Sequence, residues 1–175
     1  MPKRKDDGRR PKGGGQRRER GAPPQITPKS LDSYLEAMTK SAFQAGISWD
    51  VIFAKWDGFR EAFKDFDVRH VASLEPRDVD ELAQDTRIVR NRPKIEATIH
   101  NARTIIDTAE EFGGDEVKHF RKYLRSFGDY DALVKDLRKR FKFLGETGCY
   151  IFLYVVKEQV PEYHEWRSRQ GSQRR

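Results

Sequence analysis

Between Val134 and Val156 the chain places basic residues, among them Lys139, Arg140 and Lys142, just before a Gly145-x-x-Gly148 step and an apolar run. Two helices around a tight glycine turn account for this order. The unpaired N–H groups that open the second helix carry partial positive charge, so an anion such as a phosphate is favoured there. The glycines leave the backbone open to close approach. The neighbouring cations would hold a polyanion in place without reading its sequence. The same pattern is also that of an αα-hairpin with a solvated basic face. A second basic cluster, Arg90, Asn91, Arg92 and Lys94, precedes a long helical segment. It either meets phosphate or is a solvated, capped helix start.

Metal chemistry is not expected. Cys149 is the single cysteine, and His70, His100, His119 and His164 are scattered singly. A structural zinc usually takes four N/S ligands at close paired spacing. No Gly-rich phosphate loop, Ser–His–Asp order or EF-hand spacing is present either, so no cofactor is implied.

The elements that must carry these residues are helical. Leu31, Tyr34, Leu35 and Met38 share one face of a first helix, with Ser30 as N-cap and Gly46 as its break. Ser48 is placed to cap a second segment carrying Trp49, Ile52, Phe53, Trp56, Phe59, Phe63 and Phe66. The last four of these recur every three or four residues, the spacing of a core-facing stripe. Asp67 caps a short turn, and Pro76 suits the first position of another helix. Pro93 opens the longest helix, with Ile95, Ile99, Ala102, Ile105, Ile106 and Ala109 inward and Gly113-Gly114 at its end. Helices follow over 117–127, 130–140 and 149–156. The pattern predicts an all-α fold: a compact domain of about eight short helices with a helix–hairpin–helix.

Charge divides the 175 residues unevenly. Residues 1–29 hold ten Lys/Arg against three Asp/Glu, and the net charge of the whole chain is +7, so residues 30–175 are formally neutral. The first segment is rich in Gly, Pro, Arg and Lys and has little apolar surface to bury. It is expected to be a disordered tail, acting either as a solubilising terminus or as a cationic arm for polyanions. The expected divisions are therefore 1–29 tail, 30–167 helical domain and 168–175 basic C-terminal tail. No apolar run is long enough to span a bilayer, and no secretory signal is expected. The single cysteine fits a reducing cytosol, where a prokaryotic version would associate with the nucleoid.

Particular stretches then narrow the reading. Gln-Ala-Gly-Ile-Ser-Trp at 44–49, the aromatic stripe at 53–66, Ile-Val-Arg-Asn-Arg-Pro-Lys-Ile-Glu-Ala at 88–97, Asn-Ala at 101–102 and the hairpin follow in order. Together they closely resemble the DNA-3-methyladenine glycosylase I family, within the helix–hairpin–helix glycosylase superfamily, over roughly residues 34–160. The resemblance implies that Trp49 stacks on an extruded base and that Gln44 and Ser41 line its pocket. Read without it, Trp49 simply begins an apolar stripe. The family has a Glu where Ser41 stands, and its N-terminal pocket Tyr, Tyr-His-x-x-x-Trp segment and zinc cysteines have no counterpart here. Arg90, Arg92 and Lys94 would lie near the pocket rim. Glu162 aligns with a catalytic Asp of the wider superfamily, where a carboxylate stabilises an oxocarbenium-like sugar and orients water. On the residues alone it is a surface acid. Lyase-type relatives carry a lysine where this chain has Thr147, which implies no Schiff base.

The resemblance therefore implies a monofunctional DNA N-glycosylase of base-excision repair. It would hydrolyse the N-glycosidic bond of an alkylated purine such as 3-methyladenine in double-stranded DNA, as a monomer. 3-Methyladenine is cationic in DNA and leaves as a neutral base, so it needs less acid assistance than a normal purine. A Trp face attracts such a cation by roughly 0.5–2 kcal/mol. The alternative is a catalytically inactive module that recognises damaged or kinked DNA, which the missing pocket residues favour.

Overall fold

The computed structural model describes residues 23–173, all helix, turn or coil, with no strand among them. Most of the expected basic tail, residues 1–22, lies outside the described residues, as do residues 174–175.

Helix α1 (Leu31–Gln44) buries Leu31, Tyr34, Leu35, Met38 and Phe43. Ser30 occupies its N-cap with extended backbone, but its side chain makes no capping bond. Gly46, at φ +79°, breaks the chain away after α1. Helix α2 (Trp49–Ala62) starts where Ser48 accepts from the Val51 N–H. Its stripe forms a ladder: Trp56 stacks on Phe59 at 4.9 Å and on Phe66 at 5.2 Å, and Phe63 on Phe66 at 5.5 Å. Each fully buried Phe contributes about 1.5–3 kcal/mol. That offsets the left-handed turn at Lys64, Asp65 and Phe66, all at positive φ, which brings Phe66 back under Trp56.

Asp67 caps α3 (Val68–Ser73) by accepting from His70 N–H, and Pro76 opens α4 (Pro76–Leu82). Asn91 caps α5 (Arg92–Glu111), one residue earlier than Pro93 alone suggests. Ile95, Ile99, Ala102, Ile105 and Ala109 of α5 are buried, while Ile106 is only partly so. Helix α5 is the central rod, packed against α1, α3, α4 and α6 (Val117–Leu124). Helices α7 (Tyr130–Arg140) and α8 (Glu146–Val155) form the expected hairpin, and α8 lies on α1. Helix α9 (Tyr163–Gln173) docks through Trp166, which stacks on Tyr150 at 4.3 Å.

Two expected boundaries are corrected. Residues 25–28 strap the end of α8 and reach α6: Ile26 N–H donates to Val155 O at 2.8 Å, Gln25 to Tyr154 O at 2.9 Å, and Arg121 to Pro28 O at 3.1 Å. The contacts of the helical domain thus begin before Ser30. Residues 168–173, expected in a tail, continue α9, with Ser168 bonded to His164 O.

Candidate functional site

The hairpin is fixed by α5 rather than by its own glycines. The Asn101 side chain, 2% exposed, donates to Lys142 O at 3.0 Å and accepts from Lys142 N–H at 2.8 Å. His100 Nε2 lies 3.0 Å from Arg140 O. Leu144 is buried beneath the turn, Phe143 stands outward at φ +57°, and Gly145 is the extended N-cap of α8. A Cβ at Gly145 would meet nothing within 4 Å, and one at Gly148 only an ordinary 3.5 Å contact with Leu144. Folding of this chain therefore does not demand glycine at either place. Their effect is to leave bare backbone at a helix start that no side chain caps, the arrangement that accepts an anion.

The cations around this turn differ. Lys139 and Lys142 are exposed, and no carboxylate pairs with either among the described residues. Arg140, expected to face a phosphate, is a brace instead. It is ion-paired with Asp136 at 2.8 Å and Glu111 at 2.9 Å, reaches Thr108, and lies over the Tyr123 ring. Arg138 is bonded to Glu146 in the first turn of α8, which draws that acid's charge to one side.

The second half of the site is the turn between α1 and α2. Gln44 closes α1 and Trp49 opens α2, both half-buried, and Trp49 stacks on Phe53 at 5.4 Å. Phe53 is 47% exposed, so this end of the stripe faces solvent rather than the core. Ser41 is one turn before Gln44 but fully buried, with its hydroxyl donating to Ala37 O at 3.1 Å. That bond turns the hydroxyl into its own helix, so Ser41 does not present it to a pocket.

Lys94 is corrected most sharply. It is 5% exposed, and its amine donates to Phe43 O at 3.0 Å and Ala45 O at 2.6 Å. Burial pushes its ammonium below the usual lysine range, while the carbonyls ending α1 favour the charge. Lys94 thus clamps the turn that ends α1, and its amine is taken up by backbone carbonyls rather than left free for a phosphate. Arg92 is exposed and paired with Asp80 and Glu96; Arg90 is exposed.

Lys94 and Asn101 were not read as braces from the sequence, yet a signal was there. Lys94, Thr98, Asn101 and Thr108 are polar at helical spacing along α5, and all are buried. This polar face holds the α1–α2 turn at Lys94 and the hairpin at Asn101, seven residues on and about 10 Å along the rod.

Glu162 lies at the start of α9 and is exposed. It caps α9, accepting from Glu165 N–H at 3.0 Å, and the N–H groups of His164 and Glu165 hold its carboxyl below the usual range. Its segment packs on α7 and α8 through Pro161 and Trp166. An exposed carboxylate spent on a helix start is poorly placed to stabilise a cation in a dry pocket. Two clefts, of about 690 and 590 Å³, flank α7 and the α8–α9 linker, and neither is lined by Gln44 or Trp49.

A structural zinc does not fit these residues. Cys149 is buried in α8 with its thiol pushed up to about 12, and no group of three His, Cys, Asp or Glu is placed to hold a metal among the described residues.

Comparison with known proteins places the chain in a family. The methyladenine glycosylase family profile matches residues 27–139. The DNA-3-methyladenine glycosylase 1 of Escherichia coli is 36% identical over 126 residues, covering 63% of this chain and 67% of that protein. A crystal structure of a 3-methyladenine DNA glycosylase I superposes with a TM-score of 0.64 at 32% identity, over 75% of this chain and 81% of the other. The Staphylococcus aureus enzyme gives the same TM-score at 26% identity, over 75% and 78%. With a helical fold, a family profile matched over most of its length and relatives of this kind, the chain belongs to the methyladenine glycosylase family of DNA N-glycosylases, which are hydrolases.

Proposed function

We propose that this protein excises 3-methyladenine from duplex DNA as a monofunctional, monomeric glycosylase. The observation that carries the reading is the single rod α5, which fixes both the Gln44–Trp49 turn through Lys94 and the hairpin through Asn101. A phosphate held at the start of α8 is thereby kept at a set distance from a base extruded onto Trp49. Such extrusion is how an enzyme reaches a base atom inside a duplex. The relatives named for 3-methyladenine, including the S. aureus protein described for its recognition, support the choice of base.

In this mechanism Lys139, Lys142 and the bare backbone at Gly145 and Gly148 bind the DNA backbone. Trp49 stacks on the cationic base and Gln44 offers its amide at the rim. The C1′–N bond breaks with its electron pair passing to the base, which leaves neutral. Water adds to C1′ and loses a proton, giving an abasic site. Thr147 carries no amine, so no covalent enzyme–sugar adduct forms. The basic residues of the first 22 positions add nonspecific affinity.

A second reading is a DNA-binding module without turnover. It is favoured by Ser41, which brings no charge and whose hydroxyl is bonded to its own helix. Release of free 3-methyladenine from methylated duplex DNA decides between them. Release that is lost in Trp49→Ala supports the glycosylase. Tight binding to the same DNA with no release refutes it in favour of the module.

A further inference from the structure

We propose that Phe143 is a DNA contact, its ring packing on the deoxyribose next to the phosphate held at the start of α8. The assignment rests on the reading of the hairpin as the DNA-binding element. Phe143 is 45% exposed, while the residues on either side of the turn, Phe141 and Leu144, are buried. Its backbone stands at φ +57°, a left-handed conformation that a bulky side chain rarely adopts. That conformation is imposed from both sides. Asn101 holds the N–H and C=O of Lys142, and Leu144 is anchored in the core ahead of the Gly145 cap. The fold thus holds an aromatic ring in water, in a backbone state that glycine would occupy with less strain. Local strain kept at an exposed position is characteristic of binding sites.

The surroundings select the occupant. The ring stands between exposed Lys142, one residue before it, and the uncapped start of α8, two residues after it. An apolar face flanked by cations and unpaired N–H donors matches a sugar flanked by phosphates. Base edges lie within the grooves, whereas a hairpin seated on phosphate meets the backbone.

The test compares parent, Phe143→Gly and Lys142→Ala by fluorescence anisotropy on a short labelled duplex over a series of salt concentrations, with thermal melts of each protein. Phe143→Gly should melt no lower than the parent, because glycine suits positive φ. Its affinity should fall by about tenfold, equivalent to ~1.4 kcal/mol, with the salt slope unchanged because no charge is removed. Lys142→Ala should flatten the slope by about 0.9. Equal affinity of Phe143→Gly and parent would overturn the proposal, as would a lower melting temperature that accounts for the lost binding. If the variant's deficit vanishes on a duplex with abasic flanks, the ring meets a base and the sugar assignment is wrong. Failure of the parent itself to bind DNA would instead overturn the function on which the proposal rests.

Discussion

Replacing Lys94 by Met removes one amine and keeps most of the buried stem. Two carbonyls then lose their donor: Phe43 O, on a fully buried residue, and Ala45 O, on an exposed one. An unsatisfied buried polar group costs about 1–3 kcal/mol. Water can replace the donor at Ala45, so the full cost falls on Phe43 alone. Relief of the buried charge returns part of it. A net loss of about 2 kcal/mol follows, and at roughly 2–4 °C per kcal/mol for a domain of this size the Tm should drop by about 4–8 °C. The functional loss should be selective. The turn that carries Trp49 loses its anchor, whereas the hairpin is held independently by Asn101, about 10 Å further along α5. Thermal melts, DNA affinity and single-turnover base release at 20 °C, where the variant stays folded, separate the effects. Excision should fall by at least tenfold with DNA affinity within about twofold of the parent. An unchanged Tm, or equal losses of binding and excision, would refute the clamp.

Gly145→Ser should stabilise the fold by about 0.5–1 kcal/mol, since Ser caps better than Gly and restricts the unfolded chain. It should weaken duplex binding by about fivefold or more through its added side chain, as denaturant melts and anisotropy would show; tighter binding would place the phosphate elsewhere. Glu162→Gln should retain base release within about threefold, because the carboxylate is exposed and spent on capping α9; loss of release in quench assays would return it to the pocket. Cys149 is held protonated by burial to about 12, against an ordinary thiol near 9. The unfolded chain loses this proton first, so the contribution is fully present below pH 9 and is lost as pH rises towards 12. The parent should therefore lose about 1.4 kcal/mol more per pH unit in that window than Cys149→Val. Parallel urea melts of both proteins at pH 8.5 and 11 check it, and identical slopes would count against burial as the cause.

Much of the fold was legible because the signals are local. Ser48, Asp67, Pro76 and the Trp56–Phe66 stripe act within a few residues of where they stand, and each does what its type and spacing predict. The strap at residues 25–28 was not legible, since its value lies in carbonyls at the far end of α8, on the other side of the sequence. The cations misled for the same reason. Lys94, Arg140 and Lys142 read alike as sequence, yet one is buried under helix α1, one is paired with two acids and one is exposed. Net charge counts them equally; only tertiary partners sort them.

The polar face of α5 shows why a site can be harder to read than the fold that carries it. Periodicity analysis sorts a helix into an apolar face inward and a polar face outward, and under that rule Lys94, Thr98, Asn101 and Thr108 belong to solvent. Two of them are buried against irregular chain: Lys94 where α1 ends and Asn101 at the hairpin turn, where unpaired backbone groups need polar side chains to satisfy them. A buried polar stripe on a central helix therefore marks where irregular chain is packed, and irregular chain is where binding groups are presented. In this protein Lys94 and Asn101 hold the α1–α2 turn and the hairpin to one helix, so the residues that keep these two turns in register are ones the amphipathic rule assigns to water.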